Sequence, residues 1–549
     1  MPAGSVVTET VFSRAGLGRV TALAVTTQDI PVVQGLVVFA ALVFVLVNLA
    51  VGLVCPAAGP ADRPPVTARS VKDDFDDIVK AGAKPEAGPA PETSAPESKE
   101  NLVTKQIHLA AHFPGVNNTT VWSDPRAGSQ IDFASFTHLA RTAERGKFDF
   151  FFLAEGLRLR EMKGRIHDLD VVGRPESLTV LSALAAVTTH LGLAATVNST
   201  FNEPYEVARR LASLDHLSGG RAAWNVVTSY DAFTGENFRR GGFLDEADRY
   251  TRAAEFLRTA RELWDSWAQD AVTADAGTGA FVRDGGVGEF RHRDRHFDIS
   301  GRFNVPRGPQ GHPVIIQAGD SDEGREFAAS DADVIFSRHS TLEDGRAFYR
   351  DVKRRLAGHG RRPEDLKILP AVTYVLGDTE EEAAERAAEI RRAQVSPQTA
   401  ISYLEGIWGR DLSAYDPDGP LPDVDPDLEV GVSKGRAQFR GDRSATVAKW
   451  RALAEEKRLS IRDLVIELSA RQTFIGTPRS VADAIDLFVQ TDASDGFIFV
   501  PHLTPTGLDD LVDKVVPLLQ EKGVFRADYS GPTLRDHLGL TAPRTRQTT

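Results

Sequence analysis

The feature that most constrains this chain is a count. Between Lys105 and His502, eight short apolar runs bounded by turns alternate with amphipathic segments: "KQIHLAA", "FDFFFLAE", "LGLAATV", "RAAWNVVTS", "HPVIIQAG", "ADVIFSR", "KILPAVTYVLG" and "DGFIFVPH". The segments between them, such as "DFASFTHLARTAERGK", "ESLTVLSALAAVTTH", "PYEVARRLASLDHLS" and "SVADAIDLFV", place apolar residues three and four apart, the spacing of a helix with one buried face. Pro204 and Pro478 fall where a first helical turn tolerates proline. Eight strands, each followed by a helix, predict an α/β fold of the (β/α)8 TIM-barrel type, with an open doubly wound sheet as the alternative. Two intervals exceed a simple crossover and are read as insertions, at about 231–311 and 378–495. The first carries a hairpin-like stretch, "GEFRHRDRHFDISGRFNVP".

A barrel of this kind needs far fewer than 549 residues, so the rest must be placed. Residues 1–55 hold the uncharged run "VVQGLVVFAALVFVLVNLAVGLV" at Val32–Val54, close to the roughly 20 residues that cross a bilayer core. Residues 56–101, with "AGAKPEAGPAPETSAPESKE", are too poor in apolar side chains to fold and read as a disordered linker. The barrel domain is expected over 102–530 and a tail over 531–549. A net charge of −13 offers no basic face for a nucleic acid. The single cysteine, Cys55, leaves everything after it without a thiol for disulfides, zinc clusters or nucleophilic attack.

In a barrel the chemistry sits at the C-terminal ends of the strands. Those ends carry His112, Glu155, Thr196, Asn198, Asn225, Thr228, Ser229, Gly319, Ser321, Arg338, His339, Thr373 and His502. No nucleophile elbow, triad order, close carboxylate pair or P-loop is among them. His292 and His296 stand four apart in "HRDRH", without a cysteine or glutamate consensus, and no metal site is expected there. The sharpest local signal is "PVIIQAGDSDEGREFAA". Its strand ends at Gly319, Ser321 starts a helix, and Gly324 falls in the first turn, an arrangement suited to a phosphate at the positive end of a helix dipole. Ordinary capping by Asp320 or Ser321 explains the same pattern. Asp322 and Glu323 oppose an anion unless they point outward. Arg249 and Tyr250 open the long inserted helix and are candidates to reach the same phosphate.

The motifs "FDFFFLAEGL", "NEPYEVARRLASLDHLSGGRAAWNVVTS", "NFRRGGF" with "DRYTRAAEFL", "FNVPRGPQGHPVIIQAGDSDEGREFAA" and "GTPRSVAD" resemble the nitrilotriacetate, dimethyl-sulfide and dibenzothiophene-sulfone monooxygenase group of bacterial-luciferase-like enzymes. The resemblance runs from about Lys105 to His502. It implies a flavin-dependent monooxygenase of the barrel fold. Such an enzyme receives reduced FMN from a separate NAD(P)H-dependent flavin reductase, forms a flavin C4a-hydroperoxide with O2, and oxygenates a small sulfur- or nitrogen-containing molecule. Carried over by position, Glu155, Thr196, Gly319, Tyr250 and Ser321 are the flavin-contacting places. The family commonly has Asp at 155 and His near 246, where this chain has Glu155 and Glu246. Asn225, Ser229 and Thr228 are candidates for holding the isoalloxazine edge or the hydroperoxide, with His112 and Trp122 facing the substrate. Relatives commonly form homo-oligomers. An F420-using branch shares the barrel, and a solute-binding component of a transport system is the rival from another class.

The N-terminus carries its own resemblance. "ETVFSRAGLGRV" followed by "QDIPVVQGLVVFAALVFVLVN" is similar to the last periplasmic loop and transmembrane helix of a peptide-type ABC transporter permease. One helix forms no transport pathway. The enzyme is therefore expected in the cytoplasm, tethered to the membrane if this segment belongs to it. Its natural start is expected at Val103, read from a GTG codon.

Overall fold

The computed structural model describes residues 104–543 except 118, 160, 163–164, 167–174, 230–236, 239–247, 429–441 and 470–471. The apolar run at 32–54 and the 56–101 linker lie outside the described residues, among which no helix is long and apolar enough to cross a membrane. All eight expected runs become strands: β1 (His108–Phe113), β2 (Phe150–Leu153), β3 (Gly192–Asn198), β4 (Ala222–Val227), β5 (Val314–Gln317), β6 (Val334–Ser337), β7 (Lys367–Val372) and β8 (Gly496–Phe499). Each pairs in parallel with its neighbour in sequence, and β8 pairs with β1, closing the barrel.

The helices that follow the first six strands are α1 (Phe133–Arg145), α2 (Ser177–Ala185), α3 (Pro204–Ser218), α4 (Arg249–Asp265), α5 (Asp322–Asp331) and α6 (Leu342–Gly358). Their ends follow local chemistry. Pro204 occupies the first turn of α3, and Gly219 closes it at φ 68°, a left-handed conformation that glycine adopts without a Cβ penalty. The Ser321 and Thr341 side chains accept the backbone N–H of Gly324 and Asp344 at the starts of α5 and α6.

Packing separates into two layers. Leu109, Phe151, Leu193, Trp224, Ile315 and Ile335 point outward into the helix layer, the largest apolar cluster. Ala110, Phe150, Phe152, Ala194, Ala223, Val314, Ile316, Val334, Leu369 and Ile498 fill the barrel interior. Residues 531–543, within the segment read from sequence as a tail, are packed: the short helix Leu534–His537 brings Leu534, Leu538 and Leu540 against that interior from the N-terminal face. Three side chains of this kind withdrawn from water are worth about 1.5–3 kcal/mol each.

The same face carries a repeated device. Asp149, Asp333 and Asp495 each sit just before a strand and accept the backbone N–H of a neighbouring strand, from Leu109 (2.9 Å), Ile315 (2.8 Å) and Ile368 (2.8 Å). Each also meets a cation: Arg526 at 2.6 Å, Arg535 at 2.9 Å and Lys353 at 2.8 Å. Burial works against every one of these carboxylates. The adjacent cation, joined by His108 at Asp149 and by the strand N–H at Asp333 and Asp495, nevertheless holds all three below the usual carboxylate range.

Both long intervals carry added structure. The first contains α4, an exposed hairpin (Val272–Asp275 with Ala280–Val282) and the hairpin anticipated at "FRHR" and "DISG" (Phe290–Arg293 with Asp298–Gly301). The second holds α7 (Glu380–Gln394), α8 (Pro397–Trp408), α9 (Arg443–Lys457) and α10 (Ile461–Ser469). A separate small core, with Leu404, Trp408, Val447, Trp450 and Leu464, binds the last three helices together. The run "KILPAVTYVLG" departs from a single strand: after Val372 it leaves the barrel, and Tyr374–Leu376 pairs instead with Phe474–Gly476. That side pair leads into and out of the helical insertion. Gln394, on α7, donates to the Thr119 carbonyl at 2.6 Å, tying the insertion to the loop after β1.

Candidate active site

Above the apolar barrel interior, toward the C-terminal ends of the strands, the inward positions turn polar. Thr196 and Asn225 stand side by side on β3 and β4, and the Asn225 amide donates to the Thr196 hydroxyl at 3.0 Å. The Asn225 carbonyl oxygen is buried and has no hydrogen-bond partner among the described residues. A buried acceptor left unmade costs more than a made bond contributes, so it marks a place built for a donor. His112, at the end of β1, lies edge-on to Phe152 at 5.3 Å, and Phe152 stacks on Phe336 at 5.6 Å. These rings form an apolar wall beside the polar pair.

One level higher, fully buried Asn198 donates to both oxygens of Glu155, at 3.2 and 3.4 Å. Its own carbonyl accepts the Phe201 backbone N–H at 2.7 Å, which fixes the orientation of the amide. Burial is the largest influence on Glu155 and pushes its carboxyl up to about 7, the Asn198 bonds offsetting only part of it. His502, after β8, is driven the other way. Burial and then the nearby Arg126 lower it to about 4, leaving a neutral imidazole whose Nδ1 is buried without a partner.

The glycine-rich turn after β5 adopts the arrangement that its spacing suggested. Gly319 and Gly324 approach so closely that a Cβ on Gly324 would lie 2.8 Å from the Gly319 Cα and 3.0 Å from the Tyr250 hydroxyl. Ser321 caps α5 through the Gly324 N–H, and its hydroxyl lies 3.4 Å from that of Tyr250, at the start of α4. Arg249 stacks over the Tyr250 ring at 4.8 Å. Two of the acidic neighbours are engaged elsewhere. Asp320 accepts from His339 at 3.0 Å and Arg325 at 3.1 Å, and Asp322 accepts from Arg355 at 2.5 Å. Two hydroxyls at a helix N-terminus, with Asp320 and Asp322 paired elsewhere, form a cradle of the kind that suits a phosphate monoester.

The structure thus brings together Thr196 with Asn225, and Gly319 with Tyr250 and Ser321, while Glu155 joins Asn198 and His112 lines the wall. Ser229 is half-buried two residues past β4, with position 230 outside the described residues. Thr228 is likewise half-buried, and Trp122 is 56% exposed on the loop after β1. Glu246 lies outside the described residues. Asn198 and His502 stood among the strand-end residues without an assigned role. The signal that would have singled out Asn198 is parity, since it lies two residues after Thr196 on one strand and therefore on the same face. His292 does approach three acids, Glu255 and Asp294 and, at 2.9 Å, Glu262. Glu255, however, is occupied by the backbone N–H groups of His296 (3.0 Å) and Phe297 (2.9 Å), and so pins the hairpin to α4.

A flavin mononucleotide fits these residues. It brings a phosphate for the cradle and a planar ring system with N–H donors for the unpaired Asn225 oxygen. Known proteins point the same way. Residues 115–495 match the luciferase-like monooxygenase family. The N-acetyl-S-(2-succino)cysteine monooxygenase of Bacillus subtilis is 41% identical over 80% of this chain and 98% of its own length. Nitrilotriacetate monooxygenase component A of Aminobacter aminovorans is 41% identical over 77% of this chain and 94% of its own. A riboflavin lyase crystallised with modified FMN and riboflavin superposes with a TM-score of 0.66 at 29% identity, over 80% of this chain and 97% of that one. This chain belongs to the luciferase-like monooxygenase family.

Proposed function

We propose that the chain is the oxygenating component of a two-component monooxygenase. It takes reduced FMN from a separate NAD(P)H-dependent flavin reductase and, with O2, oxygenates a small organic molecule containing sulfur or nitrogen. The observation that carries this reading is the pairing of two features on one barrel face: the Gly319, Ser321, Tyr250 cradle and the unpaired Asn225 oxygen. The separate reductase is supported by the relative named as "component A".

Reduced FMN, when bound, supplies the two electrons that activate O2. The residues of this chain do the rest. Ser321 and Tyr250 would hold the phosphate, Thr196 and Asn225 would orient the ring edge, and Ser229 and Glu155 are further candidates to contact the flavin. His112, Phe152 and Phe336 give the substrate side an apolar wall that limits water, which matters because water would discharge the oxidant unproductively. The insertion tied to the first loop through Gln394 and Thr119 covers that side.

Anaerobic titration tests the cofactor. Quenching of protein fluorescence by reduced FMN at micromolar concentration is expected, and binding of reduced F420 in its place would overturn the assignment. Reductase-coupled turnover against a panel of sulfur and nitrogen compounds, N-acetyl-S-(2-succino)cysteine and nitrilotriacetate among them, then identifies the substrate.

A further inference from the structure

The cradle is built from two elements that meet across a gap. Ser321 is fixed by its bond to the Gly324 N–H, but its hydroxyl stands 3.4 Å from that of Tyr250, longer than the roughly 2.5–3.0 Å of an ordinary O–H···O bond. The place of the Tyr250 hydroxyl is therefore set mainly by α4. The first turn of that helix has little of its own to hold it, since its N-cap residue Asp248 makes no side-chain cap and no acid follows within the turn. Asp248 does pair with Arg295 at 2.9 Å, but Arg295 belongs to the hairpin that Glu255 pins to α4. That pair leads back to the helix. Trp264, donating to the Ala208 carbonyl at 3.0 Å, and Arg261, paired with Asp331, fasten α4 about three turns further on. Near its start, Arg252 reaches the barrel. Its Nε donates to the Ser199 carbonyl at 3.1 Å and its Nη2 to the Asn202 carbonyl at 3.2 Å, while the guanidinium lies 4.5 Å over the Phe297 ring. The turn that receives these bonds is fixed without them. Ser199 N donates to the Val227 carbonyl at 2.9 Å, Phe201 N to the Asn198 side chain at 2.7 Å, and the Asn202 amide to the Asn198 carbonyl at 2.9 Å. What Arg252 holds in place is the helix.

We propose that Arg252 is a positioning residue for the flavin phosphate: by clamping the start of α4 to the turn after β3, it sets the Tyr250 hydroxyl where it and Ser321 can donate to one phosphate oxygen. Two hydroxyl oxygens 3.4 Å apart can each lie about 2.7 Å from a shared acceptor. The inference rests on the flavin reading above and assigns a role to a residue that makes none of the flavin contacts in it. Arginine suits the task because its planar fork meets two carbonyls at once, where lysine brings a point charge to one. The turn it grips follows Thr196 and Asn198 on β3, so the clamp also registers the phosphate end of the site against the ring end.

Reduced riboflavin, which lacks the phosphate, isolates the effect. In anaerobic fluorescence titrations the wild type is expected to bind reduced FMN about a hundredfold more tightly than reduced riboflavin, and Tyr250→Phe and Arg252→Met each to narrow that preference about tenfold. Because Arg252 acts through Tyr250, the double variant is expected to keep the preference of Tyr250→Phe alone. Arg252→Lys, with one carbonyl bond in place of two, is expected to fall between the wild type and Arg252→Met. The same cycle run with Arg252→Lys serves if Arg252→Met does not fold. Losses that add in the double variant mean that the Arg252 charge acts on the phosphate directly, and overturn the positioning role. An equal loss of affinity for both flavins, the signature of a merely structural arginine, overturns it too, as does an unchanged preference. A wild type that binds neither flavin, or binds both alike, overturns the phosphate reading of the cradle and the positioning role together.

Discussion

The two ends of the barrel treat buried polar groups in opposite ways. At the N-terminal face Asp149, Asp333 and Asp495 each have a cation and a strand N–H, and buried Arg221 donates to the carbonyls of Ala185, Thr188, Leu191 and Ser218. At the C-terminal face the Asn225 carbonyl and one nitrogen of His502 are buried without partners among the described residues, and Glu155 has an amide where the aspartates have a cation. The three aspartates of one end are thus each matched by a cation, although Arg526 Nη1, His537 Nδ1 and the second Asp215 oxygen are buried there without partners among the described residues, while the candidate site at the other end holds its carboxyl with an amide and leaves the Asn225 acceptor open. That division is what a fold with stability at one face and chemistry at the other requires.

The comparison breaks most severely at Gly496, the first residue of β8. A Cβ there would lie 1.8 Å from the His108 carbonyl oxygen, a backbone atom held in the β1–β8 pairing. Gly496→Ala is expected to abolish the folded state, seen as loss of the circular-dichroism melting transition. Next comes the Asp333–Arg535 pair, which also fastens the C-terminal plug. Arg535→Ala strands a buried carboxylate and is expected to lower stability by about 3–5 kcal/mol in denaturant titrations. Its effect is expected to weaken in acid. The folded-state pKa of Asp333 lies below its unfolded value, so the stabilisation is present above about pH 4 and lost as pH falls through the folded pKa.

Asp215 sharpens the comparison because it departs from its own face. It accepts from Gln310 at 2.6 Å and Ala222 N at 3.2 Å, yet its second oxygen is buried without a partner, and burial pushes it up to about 6. Here the sign reverses. The folded state holds the proton more tightly than the unfolded chain, so stability declines as pH rises from about 4 to about 6 and stays lower above that. Asp215→Asn removes the charge and is expected to raise stability at pH 8 by up to about 3 kcal/mol, with no gain at pH 4. A variant equally destabilised at both pH values would mean that the carboxylate, not its protonated form, is what the site was built around.

Much of this was legible in the sequence, and the exceptions share a cause. The eight strands, the helix starts at Pro204 and Pro478, and the cradle from Gly319 to Gly324 are written in local spacing, because short apolar runs, first-turn prolines and close-approach glycines act over a few residues. The pairing of Glu155 with Asn198 spans 43 residues and depends on two strands lying side by side. The plug was read as a tail because "TLRDHLGL" is too short and polar to announce a helix, and its three leucines gain a surface only once the barrel closes. The aspartates in "FDF", "ADV" and "SDG" look like turn residues until the neighbouring strand supplies the N–H. Permanent properties of one segment were readable, and properties that exist only between segments were not.

The smallest expected effect on stability is the one that best separates the two faces. Asn225→Ala removes a hydrogen bond to Thr196 along with the unpaired oxygen, two changes that oppose each other in the folded protein without cofactor. The melting temperature is therefore expected to shift by only a few degrees, about 1 kcal/mol or less. Affinity for reduced FMN is expected to fall about tenfold or more, because the acceptor that the cofactor would satisfy is gone. Calorimetry of the apo protein and anaerobic fluorescence titration, run side by side, measure both. A variant that melts several kcal/mol lower while binding reduced FMN normally would place Asn225 with the aspartates of the other face, as a residue of the fold rather than of the site.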